Sequence, residues 1–472
     1  MQALRNRFRN NKDTNHQPSL KIQTMNQNYK TSTKTTSTLS KTITLSVLLS
    51  APLMLMGCDI FSSKEPLPGK REVIFAADSA IKPEVIQGIA TVSIPKGETN
   101  KDWAIPGGKL SNTLPPLTLN DTTSKTWSTS IGSGNNSEKR FTSNAIIQHD
   151  VIYAMDTHGI VSAISFSDGT KLWSMPTAPS GRDSDTLGGG IAAAGDFIYA
   201  TTSFGHVLAL EAKSGKQVWD RDLTNPIRIA PTISDGKIFV INIANETHAL
   251  DAKTGSPVWS HAGLPESTGI LGGAVPPIDS GLILAPYSSG EIYALDVQTG
   301  QPKWSETLTP TISSDSLSSI SHIRARPLIH QGTVYAISHG GRMVALDLIT
   351  GQRKWQREFA GIRTPALYGD YLYFVSIDGD LTCINRHDAK VIWSVRLKST
   401  TSDKSKISWA GPIIAGGNLV LTGSNGQIIH YSPKDGKRVN VIDTGDSFSL
   451  SPIVVNGSLI TLSDSATLTH WR

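Results

Sequence analysis

Residues 294–304 read ALDVQTGQPKW, a unit of strand end, tight turn and tryptophan. The same unit recurs at residues 209–219 (ALEAKSGKQVW), 249–259 (ALDAKTGSPVW) and 345–355 (ALDLITGQRKW), with looser copies that end at Trp173 and Trp393. A unit that returns at a nearly fixed interval indicates an array of like structural modules.

The interval identifies the module. From Trp127 to Trp393, successive tryptophans of this series lie 38 to 51 residues apart, a length typical of a four-stranded propeller blade. A second motif, a polar turn followed by alternating apolar residues, occurs eight times, from Val151 to Ile460. Such alternation indicates half-buried strands, and no stretch has a sustained helical period. We therefore predict an all-β fold, an eight-bladed β-propeller of four-stranded antiparallel blades.

The ends of the array predict how the ring closes. The seventh copy has Asn440 where Trp is expected, and the eighth stops after residues 467–472 without a final strand. Trp127, in contrast, has no strands of its own before it. We expect the segment Lys125–Ile131 to complete the C-terminal blade, which removes the open sheet edge.

The front of the chain has the pattern of a bacterial lipoprotein. An apolar run at residues 42–56 is too short for a typical membrane span and suits a signal peptide. It ends in Leu55-Met56-Gly57-Cys58, so we predict that Cys58 is acylated and anchors the chain in a membrane. The predicted domains are a signal peptide (1–57, with Met1 or Met25 as the start), a tether (58–118) and the propeller (119–472).

Charge and cysteine content narrow the classes of function. Residues 1–57 carry eight of the 44 Lys and Arg, so the mature chain has 36 basic and 38 acidic residues, and no nucleic-acid partner is expected. Cys383 aligns with the Ala of the repeat and is predicted to be a small buried strand residue. The histidines lack zinc-ligand spacing, and the repeat Asp residues are expected to cap turns. We predict no catalytic residue, metal or cofactor.

These features together resemble one family. The lipobox, the tether, the eight blades and the stretch WSTSIGSG at residues 127–134 are similar to the BamB family, propeller lipoproteins of the outer-membrane β-barrel assembly (BAM) machinery, in the form found in alphaproteobacteria. The resemblance implies a non-catalytic scaffold that binds the POTRA domains of BamA and other BAM subunits and aids folding and insertion of outer membrane proteins. It implies an outer-membrane location facing the periplasm, with retention in the inner membrane left open by Asp59.

The resemblance also places the partner surface. The family's partner loop matches residues 309–326, in which Leu317, Ile320 and Ile323 are spaced by three within a polar stretch. Apolar anchors beside Arg suit an interface, so Arg324 and Arg326 are further candidates, as is Asp378 in the loop of the next blade. The alternative is that the loop folds back and buries its own apolar residues.

Two other classes of protein share the repeat. A quinoprotein dehydrogenase dependent on pyrroloquinoline quinone (PQQ) is the main alternative, and many such enzymes carry an adjacent Cys pair that this chain lacks. A generic periplasmic binding lectin or adhesion propeller is the other. Recovery of BamA with the chain distinguishes the assembly factor from the lectin or adhesion protein, and bound quinone or dehydrogenase activity identifies the enzyme.

Overall fold

The computed structural model describes residues 81–84, 92–95, 97–120, 124–179, 181, 188–267, 269–309, 320–398 and 407–472. Within these residues, 32 strands form eight antiparallel sheets of four strands each, and no helix occurs. The prediction of an eight-bladed β-propeller is therefore confirmed. None of the described residues belongs to a helix with the length and hydrophobicity needed to cross a membrane.

The blades follow one another along the chain after a first strand, β1 (Lys125–Ser130). Blades 1 and 2 consist of β2 (Ile146–Gln148), β3 (Val151–Met155), β4 (Ile160–Ser165), β5 (Lys171–Pro176), and β6 (Gly189–Ala194), β7 (Phe197–Thr202), β8 (His206–Glu211), β9 (Gln217–Asp222). Blades 3 and 4 consist of β10 (Thr232–Ser234), β11 (Lys237–Ile241), β12 (Glu246–Asp251), β13 (Pro257–Ala262), and β14 (Ile278–Asp279), β15 (Leu282–Pro286), β16 (Glu291–Asp296), β17 (Pro302–Thr307).

The second half of the ring repeats this arrangement. Blades 5 and 6 consist of β18 (Leu328–His330), β19 (Thr333–Ile337), β20 (Met343–Asp347), β21 (Arg353–Arg357), and β22 (Ala366–Tyr368), β23 (Tyr371–Val375), β24 (Asp380–Asn385), β25 (Val391–Arg396). Blades 7 and 8 consist of β26 (Trp409–Ala415), β27 (Asn418–Gly423), β28 (Gln427–Tyr431), β29 (Arg438–Asp443), and β30 (Ile453–Val455), β31 (Ser458–Leu462), β32 (Thr467–Trp471) with β1. We call the four strands of a blade A to D, from the inner to the outer.

Blade 8 is closed by a strand from the other end of the propeller. β1 pairs antiparallel with β32, and Ser128 lies opposite Thr469. The Arg472 N–H donates to the Ser124 carbonyl over 2.9 Å, which extends the pairing beyond the strands. The predicted closure through residues 125–131 is confirmed, and β1 becomes the D strand of blade 8.

Tryptophans on the D strands join neighbouring blades. The Trp219 Nε1 donates to the Ala252 carbonyl of the next blade over 3.2 Å, and its ring lies over Gly255 in the C–D turn there. A Cβ on Gly255, whose φ is +68°, would approach Trp219 Cε3 to 2.7 Å. Equivalent hydrogen bonds are made, within the described residues, by Trp127, Trp173, Trp259, Trp304, Trp355 and Trp393.

Blade 7 lacks this indole for a geometric reason. Asn440 lies opposite His430, the register that Trp219 has opposite Ala209. An indole there would need a C–D turn in blade 8, but the C and D strands of blade 8, β32 and β1, come from distant parts of the chain. Where the receiving turn does not exist, the repeat tryptophan has nothing to pack on.

The segment at residues 97–120, which we call the plug, lies across one end of the central channel. Trp103 forms an antiparallel bridge with Ile147, with N–H···O distances of 2.7 and 2.9 Å, and its side chain is buried. Leu117, also buried, receives the Gly416 N–H and donates to the Ile414 carbonyl. Counting described residues, backbone hydrogen bonds tie the plug to six blades, through Ile147, Ala193, Ile278, Ile329, Ile414 and Asn456.

Candidate docking face

The antiparallel order of each blade gives the ring two different faces. The A–B and C–D turns lie on one face, where the plug enters the channel; its Asp102 carboxylate, for example, accepts the N–H of His149 in an A–B turn. The B–C turns and the D–A loops between blades lie on the opposite face. We call this opposite face the docking face, because it carries the loop that the sequence assigns to partner binding.

Buried polar side chains hold the B–C turns of this face in place. In blade 1, Asp156 Oδ1 accepts the N–H groups of His158 and Ile160 at 2.9 and 2.8 Å, and its Oδ2 accepts Ser133 N–H at 2.9 Å. In blade 3, Asn242 Oδ1 accepts from Ala244 and Glu246 in the same way. Turns fixed by several such bonds present their outward side chains in defined positions.

The predicted partner loop is only partly described. Leu317 lies outside the described residues, whereas Ile320 is half-buried, with its carbonyl 3.4 Å from His339 Nδ1 in the next B–C turn. Ile323 is fully buried among the residues between blades 4 and 5, including Leu284 and Val334. Its side chain is therefore part of the core, and of the two described residues of this set Ile320 is the one at the docking face.

The two arginines of the same loop point inward. Arg324 Nε donates to the Leu271 carbonyl over 2.9 Å, and burial lowers the pKa of its guanidinium. Arg326 donates from Nε to Thr364 Oγ1 over 3.2 Å, and burial lowers its pKa to about 10. Residues 324 and 326 are two positions apart in an extended segment, so their side chains point to the same side. Both lie inside the ring rather than on its rim.

Asp378 lies where a partner can reach it. It is exposed in the B–C turn of blade 6, beside a bidentate ion pair in which Arg396 donates to Asp380 over 2.5 and 3.1 Å. The hydrogen bond to Asp380, together with the negative charges of Asp380 and Asp378, raises the pKa of Arg396 against a smaller effect of burial. The ion pair therefore fixes the turn that exposes the Asp378 carboxylate, one blade away from the B–C turn that Ile320 contacts.

The docking face also carries apolar residues that sequence reasoning missed. Ile243, Leu264 and Ile377 are 40%, 62% and 37% exposed, and Ile243 and Ile377 occupy B–C turns. Each isoleucine follows the polar residue that begins its turn, Asn242 or Ser376. Blade 1 has Thr157 at this turn position. An alignment of the repeats would have shown the apolar residues of blades 3 and 6 there, and thus indicated an exposed apolar surface.

The residues considered for chemistry have structural roles. Asp251 Oδ1 accepts from Thr254 Oγ1 and from the backbone of Lys253 and Thr254, and these bonds, chiefly that of Thr254 Oγ1, lower the pKa of Asp251. Cys383 is fully buried opposite Trp393, and burial raises its pKa, as predicted for a small strand residue. Among the described residues, no group of three or more His, Cys, Asp and Glu is arranged to hold a metal ion.

Comparison with known proteins gives a consistent family. The chain matches the family described as outer membrane protein assembly factor BamB over residues 157–395 and again over 366–469. The protein of that name from Salmonella typhimurium is 26% identical over 355 residues, which cover 74% of this chain and 88% of that protein.

Two solved structures relate the fold to known propellers. BamB from Moraxella catarrhalis superposes with a TM-score of 0.60 at 22% identity, covering 73% of this chain and 100% of that one. Quinohemoprotein alcohol dehydrogenase from Comamonas testosteroni gives a TM-score of 0.62 at 15% identity, covering 78% and 80%. At these identities, both likenesses show a shared fold.

Proposed function

Because the chain belongs to the family of outer membrane protein assembly factor BamB, we propose that it is a scaffold subunit of the BAM complex. The family match over residues 157–469 carries this proposal, and relatives named as assembly factors over most of their length support it. The role proposed is presentation of rigid loops that help outer membrane proteins to fold and insert, without catalysis.

The shared fold with a quinohemoprotein dehydrogenase supplies the alternative. A propeller hosts unrelated functions, so the fold does not decide between them. The carboxylates of the repeat, such as Asp251, are engaged in turns on the periphery, and the dehydrogenase is related by fold at 15% identity. Addition of PQQ and calcium to the purified chain, with an alcohol as substrate, tests this alternative; turnover would contradict the scaffold role.

For the partner, the proposal is that the POTRA domains of BamA contact the docking face around Ile320 and Asp378. Ile320 is half-buried in the predicted partner loop, which connects blades 4 and 5. Ile377 and Asp378 are exposed in the B–C turn of blade 6. An apolar centre beside fixed charges is the usual composition of an interface anchor. Leu317, Arg324 and Arg326 belong to the same loop, but the two arginines are expected to support it from inside.

Co-purification tests the function and the face separately. The full chain, extracted in mild detergent, is expected to retain BamA, and Ile320→Asp is expected to lower recovery about tenfold or more, as for an interface anchor. Ile349→Asp is the matched control, since Ile349 is 60% exposed in a C–D turn on the opposite face. Absence of BamA with the unaltered chain would contradict the function; equal recovery with Ile320→Asp would contradict only the face.

The anchor is proposed on the sequence alone, because Cys58 lies outside the described residues. Acylation at Cys58 would place the propeller at a membrane, facing the periplasm, and the family name points to the outer membrane. Cys58→Ser is expected to release the chain from the membrane fraction and to abolish palmitate labelling. Density-gradient separation of the two membranes decides whether Asp59 retains the chain in the inner one.

A further inference from the structure

Arg326 occupies a position at which five other blades have shorter, uncharged side chains. It immediately precedes Pro327 and the A strand of blade 5; the corresponding residues before proline are Ala230, Val275, Thr364, Gly411 and Ser451. These residues form a layer around the channel at the level where the A strands begin. Arg326 is therefore a long cationic side chain in a layer built to leave space.

A cavity of about 60 Å³ lies at this level of the channel. Arg326, Asn144, Thr364 and Ser451 line it from the blades, and Trp103 and Gly107 of the plug close one side. A cavity needs about 10–15 Å³ to hold one water, so this one is large enough for a small ion with a neighbouring water. The accessible part of Arg326 faces this cavity, because the side chain lies deep in the ring.

The guanidinium in this cavity is incompletely bonded. Its Nε donates to Thr364 Oγ1 over 3.2 Å, and within the described residues its two Nη groups make no hydrogen bond or ion pair. A Cβ on Gly107 would lie 3.4 Å from Arg326 Nη1, so the plug backbone passes close to it. The half-buried Arg326 side chain thus keeps Nη donors that an anion in the cavity can reach.

Arg324 and Arg363 are further buried cations of the ring, and they are close enough to each other to interact. Arg363 donates to the Ser449 carbonyl and Ser408 Oγ at 3.0 Å each, and its Nε has no partner within the described part of the chain. Burial and the charge of Arg324 lower the pKa of Arg363 to about 10, against an opposing effect of Asp464. The cations remain protonated at neutral pH.

We propose that this axial cavity is a binding site for a small oxyanion, a carboxylate or phosphate group held by the two Nη groups of Arg326. A planar guanidinium with two free Nη groups matches the paired oxygens of such an anion. Asn144, Thr364 and Ser451 add polar side chains to the lining, although Asn144 already bonds to the Ser451 carbonyl and Thr364 Oγ1 to Arg326. The site does not depend on the proposed assembly function and is not on the docking face.

The test measures thermal stability of the full chain in inorganic phosphate or acetate, with ionic strength held constant by chloride. Binding to the folded state is expected to raise the melting midpoint saturably, by about 2–4 °C. Arg326→Gln is expected to weaken the apparent affinity about tenfold or more, since it removes a charged bidentate contact. Arg438→Gln, a change at an exposed residue of β29, is expected to leave the response unchanged. Comparison of the two salts decides between a planar and a tetrahedral ligand.

A second variant covers failure of Arg326→Gln to fold. Thr364→Asp places a carboxylate where Arg326 Nε now meets a hydroxyl, and this internal anion is expected to abolish the response to added salt. No response of the unaltered chain, or equal responses in all variants, overturns the proposal. A full response in Thr364→Asp also overturns it.

Discussion

Trp219 shows how a single side chain joins two blades. Its ring covers the C–D turn of the next blade, its Nε1 satisfies a carbonyl there, and the turn has a glycine because a Cβ would enter the indole. Large aromatic side chains contribute more buried area than any other residue type. At this scale, stability depends on a pair of residues, an indole and the glycine beneath it.

Trp219→Ala is expected to lower the free energy of unfolding by about 2–4 kcal/mol, because the half-buried indole loses both its packing and its hydrogen bond. Val218→Ala, at an exposed neighbouring residue on the same strand, is the control and is expected to cost less than about 0.5 kcal/mol. Chemical denaturation measures both. Similar losses for the two variants would contradict the role of the indole.

A comparison of two glycines distinguishes the cost of backbone strain from the cost of a steric clash with the indole. Gly236 and Gly255 have φ values of +70° and +68°, but a Cβ on Gly236 meets nothing within 4 Å, whereas one on Gly255 meets Trp219. Gly236→Ala is expected to cost roughly 1–2 kcal/mol from the left-handed backbone alone. Gly255→Ala is expected to cost about 1–3 kcal/mol more, from overpacking. Equal costs in denaturation would show that the indole moves aside freely.

His322 predicts an acid dependence of stability. Burial, with the positive charges of Arg324 and His339, lowers its pKa to about 4, while the unfolded chain binds a proton near pH 6.5. The unfolded state therefore holds more protons between these values, so stability is complete above about pH 6.5 and falls as the pH approaches 4. The loss attributable to His322 is roughly 2–4 kcal/mol at the acid end.

Denaturation from about pH 7 to about pH 4.5 measures this slope. His322→Asn is expected to reduce it, because an amide oxygen replaces the Nδ1 acceptor of the Ile270 N–H without titrating. Val439→Asn, at an exposed side chain that carries no titratable group, is the control and is expected to leave the slope unchanged. An unaltered slope in His322→Asn would contradict the assignment.

Among the elements, the plug shows why part of the structure was not predictable. The strands of the blades are predicted by alternating apolar residues and by the repeat. Trp103 and Leu117 of the plug, in contrast, each make an isolated bridge to a residue far away in the sequence. One bridged residue leaves no periodic pattern, so the segment has the composition of a tether. Arg326 was assigned to a partner surface for a similar reason: its position before Pro327 fixes its direction only when the blades are aligned.

Hydrogen exchange is expected to show that the plug is part of the folded propeller. The N–H groups of Trp103 and Leu117 donate to Ile147 and Ile414, so their exchange should be as slow as that of amides in strands paired on both sides, such as Phe239 of β11. Exposed Lys101 serves as the comparison. Fast exchange at Trp103 would show that the plug opens independently of the ring.

At the scale of the whole molecule, the ring is closed by blade 8, which combines three strands from the C-terminal end of the propeller with β1 from its N-terminal end. The repeat pattern predicted this closure, because Trp127 had no blade and the last blade had no D strand. The same arrangement explains Asn440 in blade 7, which the sequence showed as a departure without a reason. The orientation of Ile323 and the plug needed the assembled ring, since their contacts are with other blades.

Removal of residues 463–472 is expected to prevent folding, because β1 loses its sole partner and β31 keeps only β30, which leaves unpaired edges. Removal of Arg472 alone breaks only its bonds with Ser124 and is expected to be tolerated. Size-exclusion chromatography and circular dichroism compare the two truncations. A monomeric, strand-rich product from the longer truncation would show that the propeller folds without the pairing of β1 with β32.

β1 is made first, yet its partner β32 follows about 340 residues later. At the ~5–20 residues per second of synthesis, this delay is roughly 20–70 s. During that time the first strand of the propeller has no native neighbour in its own sheet. Completion of the ring therefore waits until the C-terminal residues become available, and until then β1 has an unpaired edge to which a strand of another chain can pair.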